Sequence, residues 1–198
     1  MKQLLVATRN KGKMKEIASY MDGLVEQLLC LDDLPELPET IEDGNSFAEN
    51  ALKKAREACV FSGLPTIADD SGLAVDALHG QPGVFSARYG GEPSNDQANN
   101  NKLLQELQGI PAEKRTAAFI CVLAFVHPNG SEHLFEGRIS GNILEAPQGK
   151  GGFGYDPLLL IPEQNKTMAE LSVKTKNSIS HRGQALRAFT HWLKGTKL

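Results

Sequence analysis

The stretch TAAFICVLAFVHPNGSEHLFEGRISGNIL, Thr116–Leu144, decides the fold. Thr116–His127 is the strongest strand signal in the chain, apolar and rich in aromatic and β-branched residues. Pro128-Asn129-Gly130 is a tight-turn signal. Ser131–Leu144 is therefore expected to return antiparallel, closing a long hairpin.

Upstream the pattern changes. Lys2–Thr8 (KQLLVAT) reads as a short buried strand, and Met14, Ile17, Ala18 and Met21 follow at helical spacing. Val25–Leu31 reads as a second strand, and the acidic, proline-bearing Asp32–Asn45 as a loop. Ser46 and Glu49 form an S-x-x-E capping box, opening a helix that carries Phe47, Ala51, Ala55, Ala58 and Cys59 and stops near Gly63 and Pro65. Thr66–Ala68 reads as a strand ending at the acidic pair Asp69-Asp70. Downstream come a structured loop over His79–Gly91, a helix from about Ser94 with Leu103, Leu104 and Leu107, and an apolar segment at Leu158–Ile161. The last helix spans about Ser180–Lys194, with Ala185, Leu186, Phe189, Trp192 and Leu193 as its stripe. Strand–helix units beside a long hairpin predict an α/β protein, a mixed sheet with helices packed on it.

Composition narrows the function. The 198 residues are 40% hydrophobic and 23% charged, an ordinary globular balance. A net charge of −3 argues against a nucleic-acid-binding surface, which is normally basic. The longest apolar run, Ala117–Val126, is too short to span a bilayer, and MKQLLVATRN lacks a signal-peptide core. Cys30, Cys59 and Cys121 are odd in number and widely spaced, which predicts free thiols and a cytoplasmic protein.

Three segments carry chemistry. TRNKGK, Thr8–Lys13, leaves a strand and enters a helix, where free N–H groups and the helix dipole suit phosphate; an N-cap with solvated lysines is the plainer alternative. GKGGFG, Gly149–Gly154, matches the dinucleotide fingerprint by letter, but Tyr155-Asp156-Pro157 follows it where a helix is required. It reads better as a flexible loop presenting Phe153 and Asp156 to a nucleobase, or as a plain glycine-rich turn. SISHRGQAL, Ser178–Leu186, puts His181 and Arg182 at a helix N-terminus, where cations are disfavoured unless they face a ligand. Asp69 and Asp70, with Glu42 and Asp43, offer hard oxygen ligands for Mg²⁺, or else form an Asx turn at a strand end.

TRNKGK, SFAENALKKA, IADDSGL, PGVFSARY, GGFGYDP and SHRGQAL occur in this order. They resemble the inosine/xanthosine triphosphate pyrophosphatases, which clear noncanonical purine nucleotides. The resemblance implies an elongated two-lobed fold around a long central mixed β-sheet, a single domain with the active site in the cleft between the lobes. It also implies a homodimer, Mg²⁺, and hydrolysis of a nucleoside triphosphate to monophosphate and pyrophosphate.

Carried over by motif, Thr8, Arg9, Asn10, Lys11, Gly12 and Lys13 would bind the phosphates, with Lys54 reaching them. Asp70 would be the general base and a metal ligand, with Glu42 as its favoured partner and Asp69 the runner-up. Ser71 would line the substrate pocket, Phe153, Gly154, Tyr155, Asp156, His181 and Arg182 would contact the base, and Lys176 would lie near the nucleotide. Two positions depart from the family pattern: Arg9 replaces a frequent glycine, and Ile41 precedes Glu42 where two acids are often adjacent.

Overall fold

The structure, a computed structural model, describes residues 1–196. The strands are β1 (Gln3–Val6), β2 (Gln27–Cys30), β3 (Thr66–Val75), β4 (Thr116–Val126), β5 (Glu132–Ile143), β6 (Leu159–Ile161) and β7 (Lys166–Thr167). The α-helices are α1 (Lys11–Met21), α2 (Phe47–Ser62), α3 (Asp96–Glu106), α4 (Val173–Ile179) and α5 (His181–Gly195). Among the described residues the strands form one sheet in the order β2-β1-β3-β4-β5-β6-β7. β1 pairs parallel with β2 and β3, while β5–β6 and β6–β7 are antiparallel, so the sheet is mixed as the sequence predicts. β4 and β5 are joined by the predicted turn, with His127 N–H donating to Ser131 C=O.

Two compact units divide the chain. The first comprises Met1–Asp70, Cys121–Gly137 and the chain from Arg182 onward; the second comprises Ser71–Ile120 and Arg138–His181. In the first unit the chain leaves β1 through α1 for β2 on one side, then returns to β3 on the other. That reversal at β1 is where open α/β sheets bind ligands, beyond the carboxyl ends of the strands. TRNKGK leaves β1 at this end, and Ala7 N–H donates to Ile67 C=O, holding it beside β3.

Alternation along the strands sorts the first unit's core onto two faces. Leu4, Val6, Ile67, Cys121, Leu123 and Phe125 pack with Ile17 and Met21 of α1 and Leu186 and Phe189 of α5. Leu5, Ala7, Ala68, Val122, Ala124 and Val126 pack with Ala51, Ala55 and Ala58 of α2. Small residues on α2 let that helix lie close to the sheet. The second unit has its own core, in which Leu73, Val75, Phe119, Ile143 and Leu159 meet Leu103 of α3 and Leu107, its C-cap.

Several expectations change. β3 does not end at Ala68; it runs through Asp69 and Asp70 to Val75, so the acidic pair lies within a strand and the Asx-turn reading is gone. Tertiary pairing overrides the poor strand propensity of aspartate. The capping box is displaced by one residue: Ser46 Oγ accepts Glu49 N–H at 3.2 Å, but Glu49 Oε2 accepts from Asn45 rather than Ser46. Ala18 lies on the exposed face of α1. The short α4 and β7 were not foreseen. α4 is capped by Ser172, whose hydroxyl accepts Thr175 N–H, but has no apolar stripe to announce it.

Candidate active site

The junction after β1 is stiffened by its own side chains. Asn10 caps α1, its Oδ1 accepting Lys13 N–H at 3.0 Å, and Asn10 N–H donates to Thr8 Oγ1 at 3.1 Å. Lys11 and Gly12 form the first turn, with Lys11 exposed. Arg9 turns away from this turn: Nη2 donates to Leu37 C=O at 2.8 Å and Nη1 to Leu31 C=O at 3.3 Å. Lys13 reaches β3, its Nζ 3.0 Å from Asp69 Oδ2.

Because they are consecutive strand residues, Asp69 and Asp70 point to opposite faces of the sheet. Asp69 shares the α1/α5 face with Ile67. There Arg182 donates through Nε and Nη2 to Asp69 Oδ2 at 3.2 and 3.1 Å, and through Nη1 to Glu16 Oε2 at 2.6 Å. Burial alone would lower the guanidinium pKa, but Asp69 and Glu16 outweigh it and hold the charge more firmly than usual. This explains a cation at the start of α5: the disfavoured end of the helix is offset by two carboxylates. Lys13, Arg182, Asp69 and Glu16 make a charge-balanced cluster.

Asp70 shares the α2 face with Ala68. Asn50 Nδ2 donates to Asp70 Oδ2 at 3.1 Å, and Lys54 Nζ lies 3.4 Å from Oδ1. The same ammonium lies 2.7 Å from Glu42 Oε1. Asn50 also accepts Gly44 N–H at 2.8 Å, tying the acidic loop to Asp70. Burial pushes the Asp70 carboxyl above the usual carboxylate range, and Glu42 adds to this; Lys54, Lys13 and Asn50 pull the other way and lose. Lys54 is held protonated more firmly than an ordinary lysine, because Asp70 and Glu42 outweigh its burial. A buried carboxylate of raised pKa, next to a firmly charged ammonium, suits proton removal beside an anionic group.

The metal readings separate along the same faces. Glu42 and Asp70 already share one cation, Lys54, and both are hard oxygen donors, so this pair fits Mg²⁺, which takes one or two carboxylates and completes its shell with substrate and water. Asp69 is engaged on the other face by Arg182 and Lys13. Asp43 is exposed and pairs with Lys53 at 2.6 Å. Among the described residues no three His, Cys, Asp or Glu side chains gather into a ready-made cage.

The second unit carries the residues assigned to a base, apart from Arg182. The loop after β5 is closed by Gln148 N–H donating to Pro157 C=O, and no helix follows its glycines, so the dinucleotide reading stays excluded. Phe153 is 38% exposed. Its N–H donates to Asp156 Oδ2 at 2.9 Å, and Lys176 Nζ, brought by α4, meets the same oxygen at 2.7 Å. That Nζ lies 4.7 Å from the Phe153 ring centroid. Asp156 thus holds the loop together rather than pointing outward. Gly152 must be glycine here: its φ is +74° and a Cβ would stand 1.9 Å from Asp156 Oδ2. Tyr155 is buried, its hydroxyl donating to Ser86 C=O at 2.8 Å. His181 is buried and stacked on Phe119, with centroids 5.0 Å apart. Ser71, half-buried, follows Asp70 on β3.

Sequence reasoning missed Asn50, Glu16 and Phe119. The first two had a signal: Asn50 precedes Lys54, and Lys13 precedes Glu16, at spacings that share a helix face.

One strand of a mixed α/β sheet thus sends a carboxylate to each face, and each carboxylate is met by a lysine from a flanking helix. The chain belongs to the Ham1 family, whose model matches residues 4–192. It is 58% identical over 186 residues to the dITP/XTP pyrophosphatase of Geobacter sulfurreducens, covering 94% of each chain. It is 53% identical to the dITP/XTP pyrophosphatase of Desulforamulus reducens, covering 93% of this chain and 92% of that one. The solved structure of the Staphylococcus aureus Ham1 protein superposes with a TM-score of 0.90 at 38% identity, over 99% of this chain and 100% of that one. No helix among the described residues is long and apolar enough to cross a membrane.

Proposed function

We propose that this chain hydrolyses the noncanonical purine nucleotides ITP, dITP and XTP to the monophosphate and pyrophosphate. The names of its Geobacter and Desulforamulus relatives support the substrate class. The observation that carries the chemistry is the buried Asp70 carboxylate beside Lys54 and Glu42.

Water attacks the α-phosphorus, the bond from that phosphorus to the bridging oxygen breaks, and pyrophosphate leaves with the electron pair. Asp70 takes the proton from the water, a task that its raised pKa favours. Thr8–Lys13 and Lys54 supply N–H groups and positive charge to the phosphates. Glu42 and Asp70 would hold Mg²⁺, which when bound neutralises phosphate charge. Asp69 stands behind these groups, orienting Lys13 and Arg182.

Phe153 stacks on the base, with Gly154, Tyr155 and Asp156 fixing the loop and Ser71 lining the pocket. His181 and Lys176 donate toward the 6-oxo group of hypoxanthine or xanthine, and Arg182 is anchored on Asp69. Adenine would set its 6-amino donor against these donors, costing about 1–3 kcal/mol for each buried group left unpaired.

A cytoplasmic homodimer completes the reading. Cys30, Cys59 and Cys121 form no disulfide, in keeping with a reducing compartment. Sedimentation velocity checks the dimer, and a monomer under assay conditions contradicts it.

A product assay with Mg²⁺ tests the function, recording pyrophosphate and orthophosphate separately for ITP, dITP, XTP, GTP, ATP and UTP. The expected result is pyrophosphate from the first three and little from the others. Orthophosphate as the primary product, or pyrophosphate from UTP alone, contradicts it.

A further inference from the structure

Helix α3 lies outside the residues assigned to binding or chemistry, yet it holds the Phe153 loop by a single peptide unit on each side of Gly154. Asp96 and Asn100 are four residues apart and so share one face of α3. Asp96 Oδ2 accepts Gly154 N–H at 2.7 Å, and Asn100 Nδ2 donates to Gly154 C=O at 3.0 Å. Both polar groups of the residue that follows the exposed phenylalanine are therefore taken by one rigid element.

The amide at position 100 is costly as packing. Asn100 is 7% exposed, and its Oδ1 is buried without a hydrogen-bond partner among the described residues. A leucine, branched at the same carbon, would avoid that orphaned acceptor. What the asparagine adds is the donor to Gly154. The adjacent Asn99 does related work: its Oδ1 accepts Gly90 N–H at 2.6 Å and its Nδ2 donates to Ala87 C=O at 3.0 Å. That second loop offers the Ser86 carbonyl to the Tyr155 hydroxyl. Phe153, Gly154 and Tyr155 are thus each tied, to Asp156, α3 and Ser86 in turn.

We propose that Asp96 and Asn100 are positioning residues that hold the Phe153 ring in place for the base, setting substrate affinity and base preference without touching the phosphates. The proposal rests on the reading of the Phe153 loop as the base-binding loop. A ring held from beneath binds without first having to be ordered, so loosening it weakens affinity and leaves the chemical step alone.

The test is steady-state kinetics on Asn100→Leu, Asp96→Leu and Asp96→Asn with XTP, together with inhibition by inorganic pyrophosphate and thermal midpoints. Asn100→Leu and Asp96→Leu are expected to raise KM about tenfold while kcat stays within about twofold, as for loss of a supporting contact. Pyrophosphate inhibition should not change. Asp96→Asn keeps an acceptor oxygen and should restore nearly normal KM. Because Asp96 is exposed, its pair of variants carries the test even where Asn100→Leu fails to fold. Unchanged KM in both leucine variants overturns the proposal, as does an equal loss of kcat, KM and pyrophosphate inhibition. Phe153→Ala separates the two claims: if it raises KM while the leucine variants do not, only the clamp fails, and if it leaves KM unmoved, the base-loop reading fails with it.

Discussion

At the scale of the residue, Asp70 carries the account, and its environment makes opposite demands on stability and activity. Its carboxyl titrates above the ordinary range when folded, so the folded chain takes up a proton more readily than the unfolded one. Ionising Asp70 therefore opposes folding at neutral pH, and the opposition is relieved as pH falls through that raised value. Asp70→Asn should lose turnover by at least about a hundredfold, as for loss of a general base, while its thermal midpoint at neutral pH stays level or rises. Nucleotide binding, read by calorimetry with a slowly hydrolysed analogue, should persist. Near-normal turnover would remove Asp70 from the base role. In the metal-free protein Asp70 should take up its proton above the ordinary aspartate range, read by NMR titration of the carboxyl carbon. Activity with Mg²⁺ should rise toward alkaline pH until another group intervenes. The motif placed Asp70 among the candidate residues, but its raised pKa depends on burial and on Glu42 across the acidic loop, neither of which is a local sequence property.

At the scale of the element, β3 assigns the two aspartates different work. Alternation sends Asp69 to Arg182 and Lys13, and Asp70 to Lys54 and Asn50. Asp69→Asn removes the carboxylate from a buried arginine and should cost about 3–5 kcal/mol of stability, seen in a denaturant midpoint. Asp70→Asn should cost almost none. Equal losses in the two variants would contradict the split. Helix α2 provides a smaller check: Ser46→Ala removes an N-cap that accepts Glu49 N–H, for about 1 kcal/mol. Most elements were legible because apolar spacing announces them, as in β4 and α5. β3 was cut short because adjacent aspartates argue against a strand, and pairing with a neighbouring strand decides the matter. α4 went unseen because it serves to deliver Lys176 rather than to bury a stripe.

At the scale of the whole molecule, the order of six motifs made the family legible. The partition among sheet faces was not legible, because it depends on strand register and on which helix covers which face. That partition changes what metal removal should do. Lys54 already bridges Glu42 and Asp70, so chelation should abolish hydrolysis while shifting the thermal midpoint of the substrate-free protein by less than about 1 °C. Added Mg²⁺ should restore activity. A large fall in midpoint on chelation would mean that the two carboxylates depend on the metal rather than on Lys54.

The most direct test of the central claim, that water activated at Asp70 attacks the α-phosphorus, is hydrolysis of XTP in heavy-oxygen water with mass analysis of both products. The account predicts one heavy oxygen in the monophosphate and none in pyrophosphate. Label in pyrophosphate would place the attack on the β-phosphorus and contradict the account.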